Sequence, residues 1–199
     1  MVDKHDVTAV ILAGGKGRRM EGEDKGLVEL AGRPLVEYVI EATGPQVEAI
    51  MLNANRNQQR YARYGYPVIS DALEDYQGPL SGFLSALHNA ATSHVVTLPC
   101  DGPFIAGDLV ERLITALNTH DADIAVAHDG ERMQPVYSLI PTRLSASLKA
   151  FLDTGERKID RWYAQLKVAL ADFSDCADTF RNINTAEQRD QLQNEGLLP

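Results

Sequence analysis

The chain has 199 residues and a formal net charge of -9, with 28 Asp and Glu against 19 Lys and Arg. A hydrophobic content of 44% and a charged content of 24% are typical of a globular protein with a sizeable core. Nucleic acids and anionic membranes bind basic surfaces, so the acidic balance predicts that neither is a partner.

Two cysteines and the first residues bear on the compartment. Cys100 and Cys176 lie far apart in no metal-like spacing, and we expect reduced thiols, with Cys100 buried in the core. The apolar run near the start is too short for a membrane span and ends in glycines. We therefore expect a cytoplasmic protein.

The first two thirds of the chain alternate β-rich runs with helix-like stretches. Strands are predicted at Thr8–Ala13, Ala49–Asn53, Pro67–Ser70, His94–Leu98 and Ile124–His128. Helices are predicted at Pro34–Ala42, Asn57–Tyr64, Leu80–Ala91 and Ala106–Leu117. This alternation predicts an α/β fold, namely a Rossmann-like, mostly parallel sheet with helices on both faces, a three-layer sandwich.

The pattern changes after Asp129. Pro135–Ile140 is predicted to add a strand to the sheet, and helices are predicted at Arg143–Leu152, Arg157–Leu166 and Thr185–Leu192. We expect residues 1–199 to form a single domain, in which about 1–105 bind a nucleotide and about 106–199 bind a second substrate.

Polar residues and glycines follow the predicted strands. In open parallel sheets, ligands bind beyond the carboxyl ends of the strands. The residues at those ends are Gly14-Gly15, Asn53-Ala54-Asn55, Asp71 and Cys100-Asp101-Gly102. They are the first candidates for a ligand site.

The stretch VILAGGKGRRMEGEDKG, from Val10 to Gly26, places cations on a glycine-rich loop after the first strand. Glycines let backbone N–H groups converge on an anion, and Lys and Arg neutralise phosphate charge. A P-loop is excluded because Glu23-Asp24 stand where Lys and Ser or Thr are needed, and Met20 breaks the dinucleotide fingerprint. A phosphate site is favoured over a solvated turn.

Several motifs together resemble a known family. LAGGKGRRMEGEDKG and CDGPF (Cys100–Phe104) resemble the motifs of nucleotidyltransferases. LNAN, SDALEDYQGPLSG and NINT, which begin at Leu52, Ser70 and Asn182, resemble the molybdenum cofactor guanylyltransferases within that superfamily. Glu21 and Ala186 depart from the family pattern, where Gly and Pro are usual.

The resemblance implies transfer of GMP from GTP to the phosphate of molybdopterin or its molybdenum form, with release of pyrophosphate. It implies that Lys25, Asp101 and Arg19 are catalytic and that Asp101 binds Mg²⁺. The implied GTP-binding residues are Leu12, Ala13, Gly14, Gly15, Lys25, Asn53, Asp71 and Asp101. Lys16 and Arg18 stand at variable motif positions and are expected to be solvated.

The acceptor side is indicated more weakly. Gly78 and Gly82 flank a predicted helix start, and helix N-termini bind anions. Asn182 and Asn184 alternate in an extended run, so both can face one side, although a structural turn is an alternative. The resemblance also implies transient contact with cofactor-insertion proteins or molybdoenzymes.

Two other functions remain open. A related enzyme would use CTP or another phosphorylated acceptor, and a nucleotide-binding carrier would show no turnover. Lys25 and Asp101 argue against a carrier, since binding alone needs them less. Gly14, where cytidylyl relatives tend to have Ala, favours guanine by resemblance.

Overall fold

The computed structural model describes residues 1–15, 24–73 and 78–195. The strands are β1 (Val7–Leu12), β2 (Glu29–Leu30), β3 (Arg33–Pro34), β4 (Ala49–Asn53), β5 (Val68–Ile69), β6 (His94–Pro99), β7 (Ile124–His128), β8 (Met133–Pro141) and β9 (Val168–Asp172). The α-helices are α1 (Leu35–Thr43), α2 (Gln58–Tyr61), α3 (Pro79–Asn89), α4 (Leu109–His120), α5 (Ser145–Asp153), α6 (Ile159–Tyr163) and α7 (Ala186–Glu195).

Seven strands form one sheet in the order β5-β4-β1-β6-β8-β7-β9. β1 is parallel to both β4 and β6, β4 is parallel to β5, and β7 is parallel to β9. Only β8 runs against its neighbours β6 and β7 among the described strands of this sheet. The carboxyl ends of β5, β4, β1 and β6 therefore meet at one edge, and the predicted mostly parallel α/β fold is confirmed.

Alternate residues of the central strand face opposite helical layers. Ile11 of β1 belongs to a buried cluster with Val39 of α1 and Leu113 of α4. Its neighbour Val10 belongs to a second cluster with Phe83 of α3. A strand covered on both faces reads as a continuous apolar run, which is why VTAVIL shows no polar alternation.

Two parts of the architecture were not predicted. β9 follows α6 after a short turn and forms an edge of the sheet, with Ala169 and Ala171 buried and Leu170 exposed. Its alanines are weak strand formers, so the segment carries little strand signal in the sequence. The hairpin of β2 and β3 has strands of two residues, too short for a periodic pattern.

A small apolar cluster joins the chain's C-terminal segment to this hairpin. Ile183, which is fully buried, packs with Leu30, Leu35 and Val28, and Leu192 of α7 completes the cluster. The segment that carries NINT is thereby fixed beside the hairpin near the start of the chain. None of the helices in the described ranges combines the length and apolar character needed to cross a membrane.

Candidate active site

Three side chains that are distant in sequence form a hydrogen-bonded cluster. Lys25 Nζ donates to Asp101 Oδ2 at 2.7 Å and to Asn184 Oδ1 at 2.6 Å. The side chains of Lys25 and Asp101 are 26% and 10% exposed, so the ion pair is largely removed from water. We call Lys25, Asp101 and Asn184 the lysine cluster.

Each member of the lysine cluster is held by a different element. Lys25 begins a 3₁₀ turn that ends at Leu27, and Asp101 stands two residues after β6. Ile183 N donates to the Asp101 carbonyl at 2.8 Å, which attaches the C-terminal segment to the strand end. Asn184 is therefore fixed by its buried neighbour as well as by its own side chain.

A second cluster lies beyond the ends of β1, β4 and β5. Asn55 Nδ2 donates to the Gly14 carbonyl at 3.2 Å and to Asp71 Oδ2 at 2.7 Å, and its Oδ1 accepts from Asp71 N at 2.8 Å. We call Asn53, Asn55 and Asp71 the amide–carboxylate cluster. Asn55 joins two strand ends and orients the Asp71 carboxylate.

The amide–carboxylate cluster packs against two glycines. A Cβ on Gly14 would stand 2.9 Å from Asn55 Nδ2 and 3.3 Å from both Asn53 Oδ1 and Asp71 Oδ1. A Cβ on Gly82 would stand 2.6 Å from Asn53 Oδ1 and 2.9 Å from a methyl of Leu12. Since real Cβ atoms essentially never come within 3.0 Å of such atoms, the lack of a side chain at Gly14 makes room for Asn55, and the lack of one at Gly82 makes room for Asn53.

The rest of the first glycine segment is open on one side. Ala13 is buried and its N–H donates to the Asn53 carbonyl at 2.8 Å, which continues the pairing of β1 with β4. Gly15 is exposed, and no described atom lies within 4 Å of the place where its Cβ would stand. Arg19, predicted to be catalytic, lies outside the described residues, as do Lys16 and Arg18.

The start of α3 links the two halves of the chain. Gly78 adopts a φ of +90°, which favours glycine, and its Cβ would stand 3.9 Å from the Arg157 carbonyl. Ser81 Oγ accepts from Leu73 N at 2.8 Å and so ties the first turn of α3 to the segment after Asp71. Gly78 thus faces the C-terminal half, whereas Gly82 packs on Asn53.

Two buried polar atoms converge on Gly102. A Cβ there would clash with Tyr137 Oη and would stand 2.9 Å from Asn182 Oδ1. Neither atom has a hydrogen-bond partner among the described residues. Burial, with the Asp101 carboxylate as a further cause, raises the pKa of Tyr137, so the hydroxyl stays a neutral donor.

Sequence reasoning left some of these residues unassigned. Asn55 makes the contacts that order the amide–carboxylate cluster, and its place in LNAN was the available signal. Tyr137 gave no signal, because an aromatic residue in a strand is usually core. Cys100 is buried as predicted, and burial raises the pKa of its thiol, which makes it a poor nucleophile.

The donor set bears on metal binding. No group of three or more His, Cys, Asp or Glu side chains suited to a metal ion occurs within 1–15, 24–73 and 78–195. The lysine cluster offers one carboxylate, Asp101. Mg²⁺ is commonly held by one or two carboxylates together with substrate phosphates, so this donor set fits a Mg²⁺ ion that shares its coordination with a nucleotide.

The geometry suits anionic substrates at one sheet edge. β1 is flanked by β4, which follows it in the chain, and by β6, which comes later, so the chain reverses its direction across the sheet beside β1. Ligands of open α/β sheets bind at such a reversal. A cation, a carboxylate and amide groups at that place can bind phosphates on one side and a polar heterocycle on the other.

Comparison with known proteins agrees with the resemblance seen in the sequence motifs. Residues 9–169 match the family described as MobA-like NTP transferase domain. A molybdenum cofactor guanylyltransferase of Shewanella halifaxensis (strain HAW-EB4) is 53% identical over 186 residues, which cover 94% of this chain and 93% of the relative.

Solved structures agree at the level of the fold. Molybdopterin-guanine dinucleotide biosynthesis protein A of Archaeoglobus fulgidus superposes with a TM-score of 0.79 at 23% identity, covering 96% of this chain and 98% of that one. A 4-diphosphocytidyl-2C-methyl-D-erythritol synthase of Anaerococcus prevotii reaches a TM-score of 0.76 at 12% identity, covering 98% and 97%. Since the name of the second protein refers to a cytidyl group, the fold alone does not select the base.

Proposed function

Because the chain belongs to the family of MobA-like NTP transferase domains, and is therefore a nucleotidyltransferase, we propose that it transfers GMP from GTP to the phosphate of molybdopterin. The products are the guanine dinucleotide form of the cofactor and pyrophosphate. The observation that carries the chemistry is the lysine cluster, in which a cation and a carboxylate meet. It lies beside the end of β1, because Asp101 follows β6 and β6 pairs with β1.

The reaction needs charge neutralisation more than proton transfer. An oxygen of the acceptor phosphate attacks the α-phosphorus of GTP, a new P–O bond forms, and the bond to the bridging oxygen of pyrophosphate breaks with its electron pair. A phosphate monoester has its second pKa near ~6, so the acceptor needs no general base at neutral pH. Neither cluster contains a histidine, in keeping with positioning and electrostatics as the main contributions to phosphoryl transfer.

Lys25 and Asp101 have complementary roles in this proposal. Lys25 neutralises charge on the triphosphate as pyrophosphate leaves, and Asp101 holds Mg²⁺. When bound, the ion supplies positive charge to the phosphate oxygens. In the structure, Lys25 Nζ donates to Asp101 Oδ2, so the lysine lies beside the carboxylate that would hold the metal ion.

The amide–carboxylate cluster is proposed to bind the nucleoside. A carboxylate can accept hydrogen bonds from N1–H and N2–H of guanine or from the O–H groups of ribose, and an amide offers both a donor and an acceptor. Asn55 orients Asp71 for this task. Leu12, Ala13, Gly14 and Gly15 would border the nucleotide through their backbone groups.

The acceptor is proposed to lie toward the C-terminal half. Gly78 faces the Arg157 carbonyl, and Asn182 lies beside Gly102 next to the lysine cluster. With Asn184, and with Gly82 one turn further along α3, these residues are the proposed acceptor side of a single domain, whose nucleotide half is about 1–105. Gly82 also packs on Asn53, so it would border the nucleoside as well. Transient contact with cofactor-insertion proteins or molybdoenzymes, and a cytoplasmic location, belong to the same proposal.

A transfer assay tests the function directly. The protein is incubated with molybdopterin, Mg²⁺ and either GTP or CTP, and the dinucleotide and pyrophosphate are both measured. We expect equimolar products from GTP. Product from CTP alone would make the protein a cytidylyltransferase with the same mechanism, and GTP binding without product would favour a carrier.

A further inference from the structure

The residues on either side of Lys25 are held by one side chain of α2. Tyr61 is fully buried, and its hydroxyl donates to Asp24 Oδ1 at 2.6 Å. A Cβ on Gly26 would stand 2.6 Å from the same hydroxyl oxygen. A single hydroxyl therefore contacts the residue before Lys25 and closes the space beside the residue after it.

Asp24 is bound through both carboxylate oxygens. Asn57 Nδ2 donates to Oδ2 at 3.0 Å, and Arg56 Nε lies 3.9 Å from the same atom. The Asp24 side chain is only 4% exposed, so these contacts replace water around a buried carboxylate. Both oxygens of Asp24 therefore face α2 or the two residues before it.

The local backbone supports the same arrangement. Asn57 adopts a left-handed conformation, with φ of +52°, at the start of α2, and its side chain reaches Asp24 instead of capping its own helix. Leu27 N donates to the Asp24 carbonyl at 2.9 Å and closes the turn that carries Lys25. Burial raises the pKa of Tyr61 far above neutrality, so its proton remains available to Asp24.

We propose that Tyr61, acting through Asp24, is a positioning residue for Lys25. The Asp24 carboxylate connects the turn that begins at Lys25 with α2. The Tyr61 hydroxyl thereby holds the turn in the position from which Lys25 Nζ reaches both Asp101 and Asn184. This inference rests on the proposed function in one respect: Lys25 matters because it contacts the triphosphate. Because Tyr61 is fully buried, its effect on the reaction passes through Asp24 and the turn.

A double-mutant cycle separates positioning from general stability. Tyr61→Phe removes only the hydroxyl, and we expect a roughly 5- to 20-fold loss in Mg²⁺–GTP affinity by calorimetry and in turnover. In a Lys25→Ala background the same change should cost nothing further, because the group that it positions is gone. Equal losses in both backgrounds would overturn the proposal.

Two further variants control for a general loss of stability in Tyr61→Phe. Asn57→Gly keeps the left-handed backbone at an exposed residue and removes one bond to Asp24, so we expect a smaller loss with the same dependence on Lys25. Tyr64→Phe removes the hydroxyl of the neighbouring tyrosine, which bonds Glu37, and should change neither quantity. A loss in Tyr64→Phe as large as that in Tyr61→Phe would contradict a specific role.

The binding cycle also distinguishes this proposal from the proposed function. GTP affinity is measured without an acceptor, so it reports the coupling of Tyr61 to Lys25 even where molybdopterin is the wrong acceptor. Wild-type protein that binds GTP and forms no dinucleotide would contradict the proposed function only. Additive losses in GTP binding, with dinucleotide formed normally by the wild type, would contradict the positioning role only.

Discussion

Lys25 donates to one charged and one neutral oxygen, and the two acceptors differ in what their removal would do. Asp101 supplies a carboxylate whose side chain is 10% exposed, whereas Asn184 supplies an amide dipole. In a desolvated site, the charged partner dominates the electrostatics. The sequence motifs identified all three residues, but no sequence argument predicted that Lys25 would donate to Asn184.

Asp101→Asn tests the carboxylate with little change in shape. The amide keeps an oxygen for Lys25 and removes the charge, so we expect a folded protein whose Mg²⁺-dependent turnover falls roughly 10- to 150-fold. Asp153→Asn is the matched control, because it breaks a Lys–Asp pair on the surface of α5 and such pairs contribute little. Full activity in Asp101→Asn would remove the metal assignment.

Gly82→Ala tests the packing around Asn53. Alanine favours the helix over glycine, but its Cβ would stand 2.6 Å from Asn53 Oδ1, so the side chain of Asn53 has to move. We expect weaker GTP binding by at least ~5-fold, corresponding to about 1 kcal/mol, and a stability loss of about 1–3 kcal/mol from the overpacking. Gly107→Ala, an exposed site with no described atom within 4 Å of the new Cβ, should leave binding unchanged.

At the scale of elements, periodicity predicted the central strands and most helices, and it failed where an element is short or depends on its neighbours. β1, β4, β6 and β7 are buried apolar runs, and the structure places each within one or two residues of the prediction. β9 and the β2–β3 hairpin were missed because their pairing, and not their local propensity, makes them strands.

The attachment of α4 to the end of β9 predicts a response to acid. The guanidinium of Arg112 makes bidentate hydrogen bonds to the Asp175 carboxylate, from Nη1 to Oδ1 at 2.6 Å and from Nη2 to Oδ2 at 2.9 Å. This hydrogen bonding lowers the pKa of Asp175 to about 2. A carboxyl group whose folded pKa lies below its unfolded value of about 3.9 stabilises the fold above that value and loses this contribution as the pH falls toward 2.

Urea unfolding at several pH values measures this contribution. Wild type should be more stable than Asp175→Asn at pH 7, and the difference should shrink steadily between pH 4 and the folded pKa of about 2. All other groups that titrate in acid are present in both proteins, so their contributions cancel in the difference. A difference that stays constant over this range would show that the ion pair is not linked to folding.

At the scale of the whole molecule, the candidate site depends on a contact across 159 residues, from Lys25 to Asn184. The rule that ligands bind at the carboxyl ends of parallel strands placed Gly14, Asn53, Asp71 and Asp101 at one edge from sequence alone. It gave no information about the C-terminal segment, because that segment is positioned by packing. Ile183 is buried against Leu30 of the hairpin and Leu192 of α7. These residues are far apart in the sequence and meet only in the folded protein.

Ile183→Ala tests whether this packing serves the site. Truncating a fully buried isoleucine costs about 2–5 kcal/mol of stability, and here the loss should also loosen Asn184 and lower turnover. Ile124→Ala is the matched control, since Ile124 is equally buried but begins β7, at the amino-terminal ends of the parallel strands and away from the candidate site. Thermal unfolding and initial rates are measured for both variants under the same conditions.

The two isoleucine variants separate stability from function. Both should unfold at lower temperature, by roughly 2–4 °C for each kcal/mol lost in a domain of this size. At a temperature where both remain folded, only Ile183→Ala should lose activity and GTP affinity, because only its cavity lies beside a residue that contacts Lys25. Equal losses of activity in both would mean that turnover follows global stability and that the C-terminal segment has no particular link to the lysine cluster.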